Sequence, residues 1–170
     1  PKNTSGSCVA CLMEGSRPIL AEVQALVSSS GYGNPRRMTN GFDYNRLAML
    51  AAVLEKRAGY FLSNCDIYVN VVGGLKLDEP ASDLSVALAL ISSLKDAPIR
   101  DDVIAFGEIG LGGEIRSIGS CEQRIKEAAR LGFKRCIVPY HNYKNLNQSI
   151  KSLVEIVPAR TIRAAFDSAI

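Results

Sequence analysis

The chain has 170 residues, 47% hydrophobic and 22% charged, enough for one domain with a sizeable core. Its net charge of +3 is weakly basic; it permits a polyanion partner without arguing for one, so any such site must come from local clustering. The longest apolar run, Leu84 to Ile91, suits a core helix rather than a membrane span, and no charged-then-apolar leader opens the chain. Because Pro1 is not an initiator methionine, the expectation is one domain over 1–170, excised from a longer protein.

Residues 8–14 and 17–28 read as two strands joined at Gly15-Ser16, a hairpin. The stretch SSSGYGNPRRMTNG (28–41) reads as a long loop carrying Arg36 and Arg37. Asp43 is placed to cap a helix over 44–58, with Leu47, Leu50, Ala51, Leu54 and Ala58 as its buried stripe and Gly59 as its stop. CDIYVNVV (65–72) alternates as a strand. The segment 82–95 is apolar almost all round, which predicts a central, buried helix capped by Ser82 or Asp83. VIAFGEIG (103–110) reads as one strand, and LGGEIRSIG (111–119) as a glycine turn with a short returning strand. An amphipathic helix over 121–132 ends at Gly132. A strand over 135–139 and a last strand and helix complete a mixed α/β, or α+β, chain.

Five cysteines without a secretory signal fit a reducing compartment. Cys8 and Cys11 fall three apart on a strand and face opposite sides of it, which argues for core thiols over a metal or redox pair. His141, the one histidine, sits beside a Pro-Tyr turn and reads as a surface residue. GLGGEIR and VVGGL invite a phosphate-loop reading, but neither carries the Lys-Ser/Thr that such a loop needs, and turns are the better account. Arg36 and Arg37 share a loop, while Arg46 and Arg57 lie eleven residues, about three helical turns, apart, with Lys56 adjacent. Those five cations are the candidate phosphate contacts; the bland alternative is a solvated face neutralised by acids such as Glu55.

DEPASDLSVALALISSL, APIRDDVIAFGEIGLGGEIRSIG, RIKEAARLGFKRCIVP and NYKNL occur in the order and spacing of the proteolytic domain of Lon-type proteases, which the chain resembles. PRR…GFDYNRLAMLAAVLEKRAG and YVNVVGGLKLDEPASDL narrow the resemblance to the C-terminal Lon-like domain of the RadA (Sms) family of bacterial DNA-repair and recombination proteins. The resemblance implies a Lon-type fold with ribosomal-protein-type two-layer architecture. It also implies an origin beside a zinc finger and a RecA-like ATPase, neither of which is present in these residues. Lon-type proteases attack with a serine activated by a lysine whose neutral amine depends on a desolvated site. Aligned on the family pattern, the nucleophile position falls on Ala81 and the base position on Glu122. Neither can do the work, so no catalytic residue, cofactor or metal is expected. A displaced dyad, Ser82 with Lys126 or Lys76, is the enzymatic alternative. Ser82 would have to reach its base although one helical step rotates it about 100° from the nucleophile position. Ser85 lies a turn deeper, and Glu108 matches a family glutamate read as structural. By resemblance, the expected role is a non-proteolytic oligomerisation scaffold and DNA-binding surface. It would be a hexameric ring in the bacterial cytoplasm, near the nucleoid, with a RecA-type recombinase reached through the longer protein. A purely structural ring former is the third reading.

Overall fold

The computed structural model describes residues 4–31 and 33–170; Tyr32, within the loop expected over 28–41, lies outside the described residues, as do residues 1–3. The expected hairpin is β1 (Ser7–Glu14) and β2 (Arg17–Ser29), paired from Ser7↔Gln24 to Glu14↔Arg17. The 28–41 segment is not loop throughout. Its end forms β3 (Arg37–Asn40), parallel to β4 (Cys65–Val71). Helix α1 (Tyr44–Ala58) joins them; the Asp43 carboxylate accepts the Arg46 amide at its start. At its end Gly59, at φ +79°, donates its amide back to Leu54 O, a left-handed stop that a side chain would strain.

A 3-10 turn over 80–82 leads into α2 (Asp83–Lys95). The expected single strand over 103–110 is broken into β5 (Val103–Ala105) and β6 (Glu108–Ile109). The break has a cause: Gly107 turns from the sheet to α2, its amide donating to Ala81 O and its carbonyl accepting from Leu84 N. β6 pairs with β7 (Ile115–Arg116) across the glycine turn. Then follow α3 (Cys121–Arg130), β8 (Arg135–Pro139), the single turns α4 (Tyr140–Tyr143) and α5 (Gln148–Lys151), β9 (Glu155–Ala159) and α6 (Ile162–Ala169).

The main sheet has the strand order β3-β4-β2-β1-β5-β8-β9, in which β2 alone runs against the others. One face is covered by α1, α2 and α6, and the whole run Asp83–Ser92 of α2 is buried. The other face is covered from the start of β2 across β1, β5 and β8 to β9, by α3, α4 and α5, giving a second apolar cluster around Phe106, Ile125 and Cys136. The chain is thus two layers deep at the β3 side and gains a third layer from the start of β2 toward β9. Cys8 enters the first cluster and Cys11 the second, so the sheet stands between them, as their spacing predicts.

The apolar helix α2 is tied to the sheet by its few polar residues. Ser85 Oγ lies 2.6 Å from Ala105 O and 3.1 Å from Val9 O, where β1 and β5 share only the Val9↔Ile104 pairing. Ser92 Oγ takes the Gly6 amide, and Ser93 Oγ takes the Val27 amide. Each serine satisfies backbone that the ladder leaves unpaired.

Candidate functional site

The segment Glu79–Leu84 enters α2 against β1 and β6. Ala81, at the nucleophile position, is 7% exposed and presents only a methyl group. The residues two before and two after it are both acids, and each holds a guanidinium. Glu79 accepts from Arg124 of α3, and Asp83 is gripped by both the Nε and an Nη of Arg46 of α1. Asp83 also accepts the Ile109 amide at 3.0 Å, which fastens the β6–β7 hairpin to the helix start. Burial pushes the Asp83 carboxyl up, and the Arg46 guanidinium and the Ile109 amide pull it back down. On balance the Asp83 carboxyl stays above its ordinary value because burial outweighs these partners, while the hydrogen bonds to Asp83 shift Arg46 up.

Arg124 is only 4% exposed and is held at three points: Nε on Gly119 O, and one Nη on both Cys11 O and Glu79. It lies two residues beyond Glu122, so the Arg124–Glu79 pair ties the segment of Glu122 to that of Ala81, the positions that the resemblance assigns to base and nucleophile. Glu122 is half-buried in the first turn of α3 and accepts a long 3.3 Å bond from Asn147.

Ser82 does not cap α2, contrary to expectation. Its backbone is already helical, and its side chain makes no cap bond. The hydroxyl is buried with no partner among the described residues. Asp83 does not cap either, being turned to Arg46 and Ile109. Lys76 and Lys126, the bases of the displaced-dyad alternative, are both exposed, and neither is hydrogen-bonded to Ser82. His141 is exposed in the α4 turn, edge-on to Tyr140.

The candidate cations divide into two sets. Arg46 belongs to the Asp83 pair. Arg37 is not in a loop but opens β3; it is half-buried, donates to Leu62 O, and lies in a shallow cavity with Ala48, Ala51 and Glu55. Arg36, Lys56 and Arg57 are exposed. Arg36 is anchored by its backbone, whose amide donates to Asp66 at 2.7 Å and whose carbonyl accepts from Ile67, leaving the side chain outside. Arg57 Nε reaches Leu111 O at 3.4 Å on the β6–β7 turn. Sequence reasoning missed Arg124. Its signal is an arginine inside the buried stripe Cys121, Ile125, Ala128 of an amphipathic helix, where a cation needs a partner. It missed Arg160 and Arg163 as well; both are exposed, the first stacked 3.7 Å over the Tyr140 ring.

Residues 46–170 match the Lon protease (S16) C-terminal proteolytic domain family. The chain belongs to the Lon proteolytic-domain family. Within it, the chain is 47% identical over 163 residues to the DNA repair protein RadA of Halalkalibacterium halodurans, covering 96% of the chain and 35% of that relative. Similar relatives of the same name occur in Listeria monocytogenes, 48% identical over 99% of the chain and 36% of the relative, and in Bacillus subtilis, 52% over 82% and 30%. These matches bear out the resemblance read from the sequence. The chain spans about a third of the length of the curated relatives it matches. Around Ala81 stand the two ion pairs Arg46–Asp83 and Arg124–Glu79.

Proposed function

We propose that this Lon-type domain does no peptide hydrolysis and serves a RadA-type DNA-repair protein as a DNA-binding and self-assembling scaffold. The observation that carries the proposal is the segment around Ala81: the nucleophile position lacks an oxygen, and Arg46–Asp83 and Arg124–Glu79 brace it from both sides. Nucleophilic attack needs a hydroxyl within hydrogen-bond reach of a base. The one hydroxyl nearby, Ser82, is buried and unpartnered. The relatives are named DNA repair proteins, which favours DNA as the partner.

The phosphate contacts in this reading are Arg36, Lys56 and Arg57, all exposed; Arg37 and Arg46 act behind them by fixing β3 and α1. Contact from a strand end and a helix edge suits backbone binding without base readout. A net charge of +3 per chain is small, so a ring, hexameric by family resemblance, would add binding by avidity. The open face of β3, β4 and β2 gives self-association a place. β3 is an edge strand, and Leu26 and Met38 are 58% and 59% exposed there beside Tyr68. No helix among the described residues is long and apolar enough to cross a membrane. The cytoplasmic, nucleoid-associated location, the ATPase and the recombinase partner are proposed through the longer RadA-type protein.

The test is a peptide-cleavage assay and a fluorophosphonate labelling run beside a DNA-shift assay at low salt. The expected result is a shifted oligonucleotide, no cleavage and no label on Ser82. Cleavage that disappears in Ser82→Ala would restore the protease reading. A ring that forms without shifting DNA would leave a purely structural scaffold.

A further inference from the structure

We propose that the cleft between the end of α1, the β6–β7 turn and the start of α6 seats a phosphate group of a nucleic-acid backbone. This rests on the DNA-binding reading above and deepens it, placing one contact in a built cavity rather than on an open surface. The cleft has a volume of about 350 Å³, and its wall includes Arg57, Gly112, Gly113, Thr161 and Arg163, with no carboxylate among the residues that line it. Of the hairpin's two acids, Glu108 stands in β6, and Glu114 is engaged by the Gly112 amide at 3.0 Å and by Arg116.

Both arginines are positioned but uncommitted. Arg163 is steadied by one Nη on Ala58 O at 2.6 Å and by the Tyr60 ring 4.8 Å from its guanidinium carbon. Arg57 is held by Nε alone, and its two Nη groups donate to no acceptor among the described residues. Neither takes part in an ion pair among the described residues. Two planar forks lining one cleft can hold a phosphate through several charge-assisted bonds.

The glycine turn makes the space. Gly113 sits at φ +85°, and a Cβ there would come within 2.8 Å of Arg57 Cβ. The turn is therefore a hairpin, as its sequence indicates, yet its bare backbone also forms one wall of a cationic cleft. Lys56 and Arg160, the chain neighbours of Arg57 and Thr161, are also exposed.

The experiment uses the 170-residue chain with a labelled oligothymidylate, followed by anisotropy over a salt series, and with inorganic phosphate followed by NMR of the arginine Nε–H signals. Arg57→Gln and Arg163→Gln should each weaken oligonucleotide binding about tenfold. Each should lower the log–log salt slope by about one. The double variant should lose less than the sum, since both arginines hold one phosphate. Arg57→Lys should keep most of the slope. Arg57 is exposed, so its variants keep the test valid should Arg163→Gln unfold the start of α6; melting curves report that. Phosphate should move the Arg57 and Arg163 signals in the wild type. Wild-type DNA binding with unchanged affinity and slope in both glutamine variants would overturn the cleft and leave the DNA-binding reading standing. Phosphate shifts without any effect of the variants on the oligonucleotide would mean a free-phosphate site, and the backbone proposal fails. No oligonucleotide binding by the wild type at low salt would remove the DNA-binding reading itself, and this proposal with it.

Discussion

Asp83 is fully buried, and it stays there because Arg46 and the Ile109 amide meet its oxygens. Replacing one partner of such a pair leaves a lone charge in the core. Arg46→Met should cost about 3–5 kcal/mol in urea unfolding, and the double change Arg46→Met with Asp83→Leu should recover most of it. Ser82→Ala should be neutral or slightly stabilising, because it removes a hydroxyl with no partner, whereas loss of a true cap would cost about 1 kcal/mol. Burial raises four thiols: Cys8, Cys121 and Cys136 to about 12 and Cys11 to about 11. Folding therefore raises these pKa values above 9, the ordinary thiol value. The folded state holds those protons more tightly than the unfolded chain. Their stabilisation is complete below pH 9 and is lost as pH climbs from there toward 12. Unfolding free energy followed from pH 8 to 11 should fall with this sign, less steeply in Cys136→Ala. A flat profile over that range would contradict the burial of these thiols. At this scale the ordered motif singles out Ala81 and Glu122 as positions to test. The sequence hid the roles of Arg46 and Arg124, because their partners Asp83 and Glu79 are 37 and 45 residues away.

Helix α2 carries the core. Leu88 is completely buried in it, and Leu88→Ala should cost roughly 2–5 kcal/mol, measured by denaturant titration. A shift well under 1 kcal/mol would show that the helix is not the centre of packing. The elements that the sequence made legible are those whose signals are local. Asp43 and Gly59 bound α1 at both ends, Gly15-Ser16 joins β1 to β2, and the Cys121-Ile125-Ala128 stripe marks α3. The missed features depend on partners far along the chain. β3 is four residues in a polar stretch, and it becomes a strand only because β4, some thirty residues on, offers its edge. The break between β5 and β6 is imposed by Gly107 bonding to the start of α2, and nothing in VIAFGEIG announces it. α4 and α5 are single turns, too short for a periodic signal.

The whole molecule has the Lon proteolytic-domain scaffold, with two ion pairs, Arg46–Asp83 and Arg124–Glu79, at the entry to α2. What remains available on its surface is a scatter of exposed arginines and lysines, together with one open sheet face. A scatter of cations binds a polyanion through counterion release, so its signature is the salt dependence of affinity rather than affinity alone. The most direct measurement is oligonucleotide binding from low to physiological salt by the wild type and by Arg36→Glu combined with Lys56→Glu, with sedimentation showing equal assembly. The wild type should give a linear fall of log affinity with log salt, and the variant a slope smaller by about two units, with weaker binding to every sequence alike. Absence of binding by the assembled wild type at low salt, or identical slopes in the two proteins, would contradict the account.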